Sequence, residues 1–299
     1  MDDGQVLDAL RVQPGQRFRL SDRETDWLPP QLRDLDKGEL RERARELLDA
    51  SRSSLSDAQE RLYADDRYSL LLVFQAMDAA GKDGTIKHVM SGVNPAGTQV
   101  TSFKAPSAEE LDHDFLWRVA RALPERGRVG IFNRSHYEEV LVVRVHPEYL
   151  DGQRLPSDTR GEELWRQRYE SINGFERHLA RNGTVIVKFF LNVSKREQRQ
   201  RFLDRLDDAD KTWKFNSGDV AERGHWDEYM TAYEDALSAT STEWAPWYVI
   251  PADRKPVMRA LVANVVARTV DGMDLRFPEV PDEERAALAQ ARARLAAEG

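Results

Sequence analysis

The chain has 299 residues, 40% of them hydrophobic, no cysteine, and a formal net charge of −8. That length can bury a sizeable core and allows one large domain or two smaller ones. The missing cysteines exclude disulfides, thiolate metal sites and thiol nucleophiles, and the acidic balance means that an anionic ligand must be drawn in by a local Lys/Arg cluster. No run approaches the ~20 apolar residues of a membrane span. The segment MDDGQVLDAL lacks the basic and apolar regions of a signal peptide. The expectation is a soluble, cytoplasmic protein with no membrane partner.

In chain order, residues 1–35 hold Pro14, Gly15, Pro29 and Pro30 among scattered charges and read as an extended or partly disordered arm lying on the domain. Leu40, Ala44, Leu47, Leu48, Leu55, Ala58 and Leu62 recur at helical spacing, which predicts a long amphipathic helix over 40–62. Residues 70–74 are apolar without alternation, as in a strand buried on both faces of a parallel sheet. A loop of small residues and turn-formers follows at 79–84, with Lys82 directly after Gly81 and a helix-compatible segment beyond. Backbone N–H groups at a helix N-terminus, with a lysine as point charge, can hold a phosphoanhydride.

Against the template G-x-x-x-x-G-K-[ST], the spacing from Ala76 through Gly81 and Lys82 fits. Ala76 replaces the first glycine, however, and Asp83 replaces the hydroxyl residue. Asp78 places a carboxylate inside the loop, which is sensible where Mg²⁺ or an acceptor hydroxyl lies between it and the phosphates. An ordinary strand-to-helix turn with a solvated lysine is the competing reading of these residues.

Residues 98–103 alternate like a second strand ending at Lys104, and 111–123 read as a helix closed by Pro124 and Gly127. A third strand over 129–132 leads into Asn133, Arg134, Ser135, His136, Tyr137, Glu138 and Glu139. In open α/β sheets the ligand crevice lies at the strands' carboxyl ends, so the ends at Phe74, Phe103 and Phe132 should converge. A helix over 162–181 and a strongly apolar fourth strand over 184–191 come next. The repeated strand-then-helix order predicts an α/β, three-layer fold with a parallel sheet flanked by helices.

Ser194 and Glu197 form a capping-box pattern opening a helix with Lys195, Arg196, Arg199, Arg201 and Arg205, five cations against Glu197 and Asp204. Gln198, Arg201 and Arg205 share one face. A solvated helix laced with salt bridges is one reading of that run. Its place after the fourth strand favours a helical lid over a transferred phosphoryl group, with Lys214 adding to it. A helix over 226–237, a fifth strand over 247–250, a closing helix over 256–270 and an alanine- and charge-rich helical tail or oligomer contact over 278–299 complete the chain. The histidines do not assemble a metal site, no G-x-S-x-G elbow is present, and the tryptophans are dispersed rather than interleaved with basic residues as a nucleic-acid platform. Phosphoryl transfer is the chemistry left in front.

The stretches FQAMDAAGKDGTIKHVMSGVNP at 74–95, TSFKAPS at 101–107, IFNRSHYEEVLVVRVHPE at 131–148, the lid at 194–214 and PWYVIPADRK at 246–255 resemble the polyphosphate kinase 2 family, over residues 63–255. Within it they look like class III, which phosphorylates both nucleoside mono- and diphosphates. The resemblance implies a P-loop kinase-like fold, a homo-oligomer (dimer or tetramer), Mg²⁺ with Mn²⁺ as the alternative, and inorganic polyphosphate as donor in place of ATP. It implies AMP, ADP and ATP as nucleotides, leaves guanine nucleotides open, and gives no nucleic-acid partner. The corresponding division is an arm at 1–35, a catalytic domain at 36–272 with its lid at 194–220, and a tail at 273–299.

By position, the resemblance makes Asp78 the residue that places acceptor phosphate or metal, Lys82 the one that stabilises the transferred group, and Arg134 a phosphate clamp. Glu138 would assist metal or acceptor placement, and Lys104, Asn133, Arg134 and Glu138 would face the nucleotide. Asn133 stands where many relatives place an aspartate, which leaves metal binding there open while a neutral amide tolerates a diphosphate acceptor. Ala80, Gly81, Asp83, Gly84, Thr85 and Lys87 would hold phosphate, and Lys195, Arg201, Arg205 and Lys214 would line the polyphosphate path. The implied reaction passes the terminal phosphoryl group of polyphosphate to AMP or ADP, reversibly. An ATP-dependent small-molecule kinase or nucleotide hydrolase with the same loop, and a non-catalytic polyanion-binding protein, remain as other readings.

Overall fold

The computed structural model describes residues 3–156, 160–210, 212–215 and 217–298. The chain enters through α1 (Asp3–Leu10), whose Val6 and Leu10 are buried. The segment after it runs against the fifth strand: Val12 N–H donates to the Trp247 carbonyl at 2.9 Å, and Arg11 forms an antiparallel bridge with Tyr248. Phe18 and Leu32 are buried as well. This stretch, expected as an extended arm, is partly helical and anchored by its own apolar side chains.

α2 (Lys37–Asp65) starts at a complete capping box: the Asp36 carboxylate accepts from Gly38 and Glu39 N–H, and the Glu39 carboxylate accepts from Asp36 N–H. Its buried apolar positions, Leu40, Ala44, Leu48, Leu55, Ala58 and Leu62, form one stripe. β1 (Ser69–Gln75) is buried at every residue and leads through the loop into α3 (Lys82–Val89). β2 (Thr98–Ser102) follows. The single helix expected over 111–123 is instead two short ones, α4 (Ala108–Leu111) and α5 (Trp117–Ala120). The cause is local: the Asp114 carboxylate accepts Leu116 N–H at 2.9 Å, an Asx turn that competes with helix continuation.

After β3 (Val129–Asn133) come α6 (Val142–Val145), α7 (Gly161–Arg181) and β4 (Thr184–Asn192). α8 (Lys195–Asp207), α9 (Ser217–Glu222) and α10 (Trp226–Thr240) precede β5 (Trp247–Pro251). α11 (Lys255–Asp271) packs on α2 and α3, while α7 packs on β4 and α10, so helices flank the sheet on both sides. α12 (Asp282–Ala297) buries none of its residues. Among the described residues no helix is long and apolar enough to cross a membrane.

The sheet is parallel, in the order β2-β3-β1-β4-β5. The all-buried β1 takes the centre, and β2, with three of its five residues exposed, takes an edge. Register pairs Phe74 with Asn133 and Asn133 with Ser102. The carboxyl ends of β1, β3 and β2 therefore converge, at the point where the chain turns from one half of the sheet to the other.

A charged network lies inside the fold. Lys188 of β4 donates to Glu176 Oε2 at 2.6 Å, to the Tyr137 hydroxyl at 2.7 Å and to the Thr240 carbonyl at 2.8 Å. Tyr137 in turn donates to Glu176 Oε1 at 2.8 Å, and His136 Nε2 lies 3.3 Å from the same oxygen. All three Lys188 donors are used, which is what a cation withdrawn from water requires.

Candidate active site

The loop after β1 is shaped by two left-handed residues, Ala79 at φ 59° and Gly81 at φ 110°. At Gly81 a side chain would combine that strain with a Cβ only 3.3 Å from Met258 Cε. Lys82, the first residue of α3, folds back over the loop, donating to the Ala76 carbonyl at 2.7 Å and to that of Met77 at 3.5 Å. It is 9% exposed, and burial pushes its pKa below the ordinary lysine value, opposed in part by Asp78.

The next carbonyls are held from the α8 side. Gln198 donates to Asp78 O at 2.8 Å, and the Arg201 guanidinium donates to Ala79 O at 3.3 Å, Ala80 O at 2.5 Å and Ala252 O at 2.6 Å. Every carbonyl from Ala76 to Ala80 thus has a donor. An anion entering here meets a loop whose negative ends are already paired, at the positive end of a helix dipole.

Across the loop, Arg134 follows β3 in a left-handed conformation, φ 64°, fixed by Arg134 N–H donating to Phe74 O at 3.0 Å. Its guanidinium meets Asp78 Oδ1 at 2.6 Å and Glu138 Oε2 at 3.4 Å. Burial pushes the Arg134 pKa down, but Glu138 and Asp78 outweigh it and hold the group above its ordinary value. Asn133 Nδ2 donates to Asp83 Oδ1 at 2.7 Å, and Asn133 Oδ1 is buried with no hydrogen-bond partner.

These oxygens fit a hard divalent cation. Among the described residues no three His or acidic side chains form a metal cage, whereas Asp78, Asp83 and the orphaned Asn133 oxygen suit an ion that shares its coordination with phosphate oxygens.

The loop forms the floor of a cleft of about 910 Å³, lined by seven basic side chains, Lys82, Lys104, Arg134, Arg201, Arg205, Lys255 and Arg259, against Asp78, Asp83, Asp204 and Asp219. Burial and the neighbouring Arg201 lower the pKa values of both Lys255 and Arg259. Burial raises that of Asp219, with Asp78 adding to the effect. In an acidic protein this is a local surplus of positive charge crowded at some electrostatic cost, which a polyanion relieves.

The Polyphosphate kinase 2 family model matches residues 38–278. The chain belongs to the polyphosphate kinase 2 family. An ADP-polyphosphate phosphotransferase from Rhodopseudomonas palustris is 54% identical over 258 residues, covering 86% of this chain and 89% of that protein. An AMP/ADP-polyphosphate phosphotransferase from Meiothermus ruber is 45% identical over 273 residues, 91% of this chain and 96% of that protein. The crystal structure of polyphosphate kinase 2 from Arthrobacter aurescens TC1 superimposes with a TM-score of 0.83 at 39% identity, over 95% of this chain and 96% of that one.

Of the residues expected at a polyphosphate kinase 2 site, Asp78, Gly81, Lys82, Asp83, Gly84, Lys104, Asn133, Arg134, Arg201 and Arg205 line the cleft, and Glu138 reaches it through Arg134. Four do not line it. Thr85 is wholly buried with its hydroxyl on Gly81 O at 2.9 Å, and Ala80 is buried beneath Arg201. Lys87 is exposed on α3 away from the cleft, and the Lys195 ammonium lies 5.8 Å from the centre of the Trp226 ring. The Lys214 side chain lies outside the described residues.

The capping box at Ser194 is half formed: Ser194 Oγ accepts Glu197 N–H at 3.0 Å, while the Glu197 carboxylate turns to Arg201 at 2.8 Å. Sequence reasoning missed Lys255 and Arg259 at the start of α11 and Asp219 on α9. The first two were within reach, because the convergence of strand ends applied to three strands also covers β5, and the i, i+4 spacing of Lys255 and Arg259 puts both on one helical face.

Proposed function

We propose that this member of the family is a polyphosphate-dependent nucleotide kinase that transfers the terminal phosphoryl group of inorganic polyphosphate to AMP and ADP, forming ADP and ATP. The observation that carries it is the loop with all its carbonyls from 76 to 80 paired, set beneath a cleft of seven cations. The AMP/ADP name of the Meiothermus ruber relative supports both acceptors.

The acceptor is itself a phosphate, whose second ionisation lies near pH ~6, so the attacking oxygen is already anionic at neutral pH and no general base is needed. Catalysis reduces to alignment and charge neutralisation. Lys82 and the α3 N-terminus receive the migrating group. Arg134 exchanges part of its bonding with Asp78 and Glu138 for phosphate oxygens, so its position is set before substrate arrives. Lys255, Arg259 and Arg205 carry the remaining polyphosphate charge. Asp78 would hold a divalent cation, Mg²⁺ in our reading with Mn²⁺ able to replace it, together with Asp83 and Asn133 Oδ1; when bound, it neutralises charge on the bridging phosphates. Because one phosphoanhydride is broken as another forms, the reaction runs in both directions according to concentrations.

The same reading includes guanine nucleotides as acceptors, a homo-oligomer, a cytoplasmic location, residues 36–272 as the catalytic domain and 194–220 as its lid. The test is incubation of purified protein with Mg²⁺, long-chain polyphosphate and either AMP or ADP, products being separated by ion exchange, beside a control of ATP plus AMP. ATP from both acceptors is expected. Reaction in the ATP control alone overturns the proposal, and AMP stopping at ADP narrows its acceptor range.

A further inference from the structure

The cleft is lined by two kinds of group. Around the loop stand Lys82, Arg134, Arg201, Lys255 and Arg259. α8, α9 and the turn between them add the carboxylates of Asp204 and Asp219 and the indole of Trp213, with Arg205 3.8 Å from Asp219, Asp204 in electrostatic reach of Lys255, and Asp219 in that of Lys82 and Arg134. A polyphosphate strand, charged at every phosphorus, gains nothing from an exposed indole ring. The nucleoside end of an acceptor is neutral, flat on one part and rich in hydroxyl donors on the other.

Trp213 is 77% exposed, a large apolar surface left facing water at the wall of a charged cleft. It is also held in place. It sits in the turn Thr212–Lys214, where Thr212 N–H and its hydroxyl both donate to Asp208 O at 3.0 Å, and the indole Nε1–H donates to Asp210 O at 2.9 Å. The turn is pinned by Phe215, whose ring meets the buried Phe202 of α8 edge-on at 6.3 Å. A ring oriented through its own N–H and presented by an anchored turn is a stacking platform whose ordering entropy is already spent.

Resting on the kinase reading above, we infer that Trp213 stacks on the nucleobase of the acceptor. Stacking responds to the area of a base more than to its hydrogen-bonding edge, so adenine and guanine acceptors are taken alike and pyrimidines less well.

The test compares the wild type with Trp213→Ala and Trp213→Phe in steady-state kinetics, varying AMP, GMP, CMP and polyphosphate separately. Binding of AMP and of ribose 5-phosphate is followed in parallel by tryptophan emission. Trp213→Ala should raise the KM for AMP and GMP roughly 5- to 140-fold. It should change the KM for polyphosphate by about twofold at most, and Trp213→Phe should restore most of the loss. AMP should quench wild-type emission, ribose 5-phosphate should not, and the quench should vanish in Trp213→Phe.

An unchanged acceptor KM in Trp213→Ala, or a rise confined to polyphosphate, overturns the inference. A wild type that transfers nothing from polyphosphate overturns the kinase reading instead. The quench titration then still decides Trp213, since equal quenching by AMP and ribose 5-phosphate removes the base from the contact.

Discussion

Lys82 and Lys188 are both lysines withdrawn from water, and burial pushes the pKa of each below its ordinary value, that of Lys188 to about 8. Their surroundings differ in one respect. Lys188 has a carboxylate at 2.6 Å, a hydroxyl and a carbonyl, a complete set for three protons. Among the described residues Lys82 hydrogen-bonds only to the neutral carbonyls of Ala76 and Met77, and Asp78, the carboxylate that opposes its lowered pKa most, is bonded to Arg134. A buried cation with its counter-charge in place is architecture. One whose direct partners are neutral, at a helix N-terminus and the floor of a cationic cleft, is a site waiting for an anion.

That contrast breaks most visibly at Lys188. Lys188→Ala strands the Glu176 carboxylate and should cost about 3–5 kcal/mol in denaturant unfolding, whereas Lys188→Met combined with Glu176→Leu should recover most of it. A single variant as stable as the double one would mean that the pair is not what holds this region.

Lys82→Ala should do the reverse, lowering kcat roughly 10²-fold or more while leaving the unfolding midpoint nearly unchanged. Near-normal turnover would remove Lys82 from the reaction.

Titration sharpens the comparison from both sides. For Glu176 burial pushes the pKa up, but Lys188 and His136 outweigh it and hold the carboxyl below its usual 4.5. As the pH falls below that value the unfolded chain takes up a proton that the native state resists, so this stabilisation is present above pH 4.5 and lost on acidification. Acid unfolding of the double variant should therefore be shallower. Lys82, held below the usual 10.5, loses its charge as the pH rises through its lowered value, so the alkaline limb of kcat/KM should lie below 10.5 and move up in Lys82→Arg.

The smallest effect belongs to Lys87, exposed on α3 away from the cleft. Lys87→Ala should change kcat/KM by about twofold at most and stability by about 0.5 kcal/mol or less.

The parallel sheet and the position of the loop were legible because their signals are local. An apolar run of strand length, then Gly81-Lys82, leaves few alternatives, and the rule about strand ends points to Asn133 and Arg134, which line the cleft. What escaped depends on neighbours distant in the chain. Helical spacing showed that Gln198 and Arg201 share a face, but not that this face meets backbone carbonyls of 78–80, so that Arg201, expected along the polyphosphate path, also fastens the loop. Lys188 was invisible inside an apolar strand, because periodicity says where a side chain points and nothing about Glu176 twelve residues earlier. Asp114 reads like any polar residue in a helical pattern until its carboxylate is seen to end the helix.

The N-terminal segment covers the outer edge of β5 through the Val12–Trp247 hydrogen bond and the Arg11–Tyr248 bridge. Removing it would bare a strand edge beside the apolar surface that Val6 and Leu10 now occupy, an invitation to intermolecular strand pairing. For anyone producing this protein, trimming the first dozen residues as a dispensable leader would trade a folded enzyme for aggregate. Affinity tags belong at the other terminus, where α12 buries nothing that a fusion could disturb.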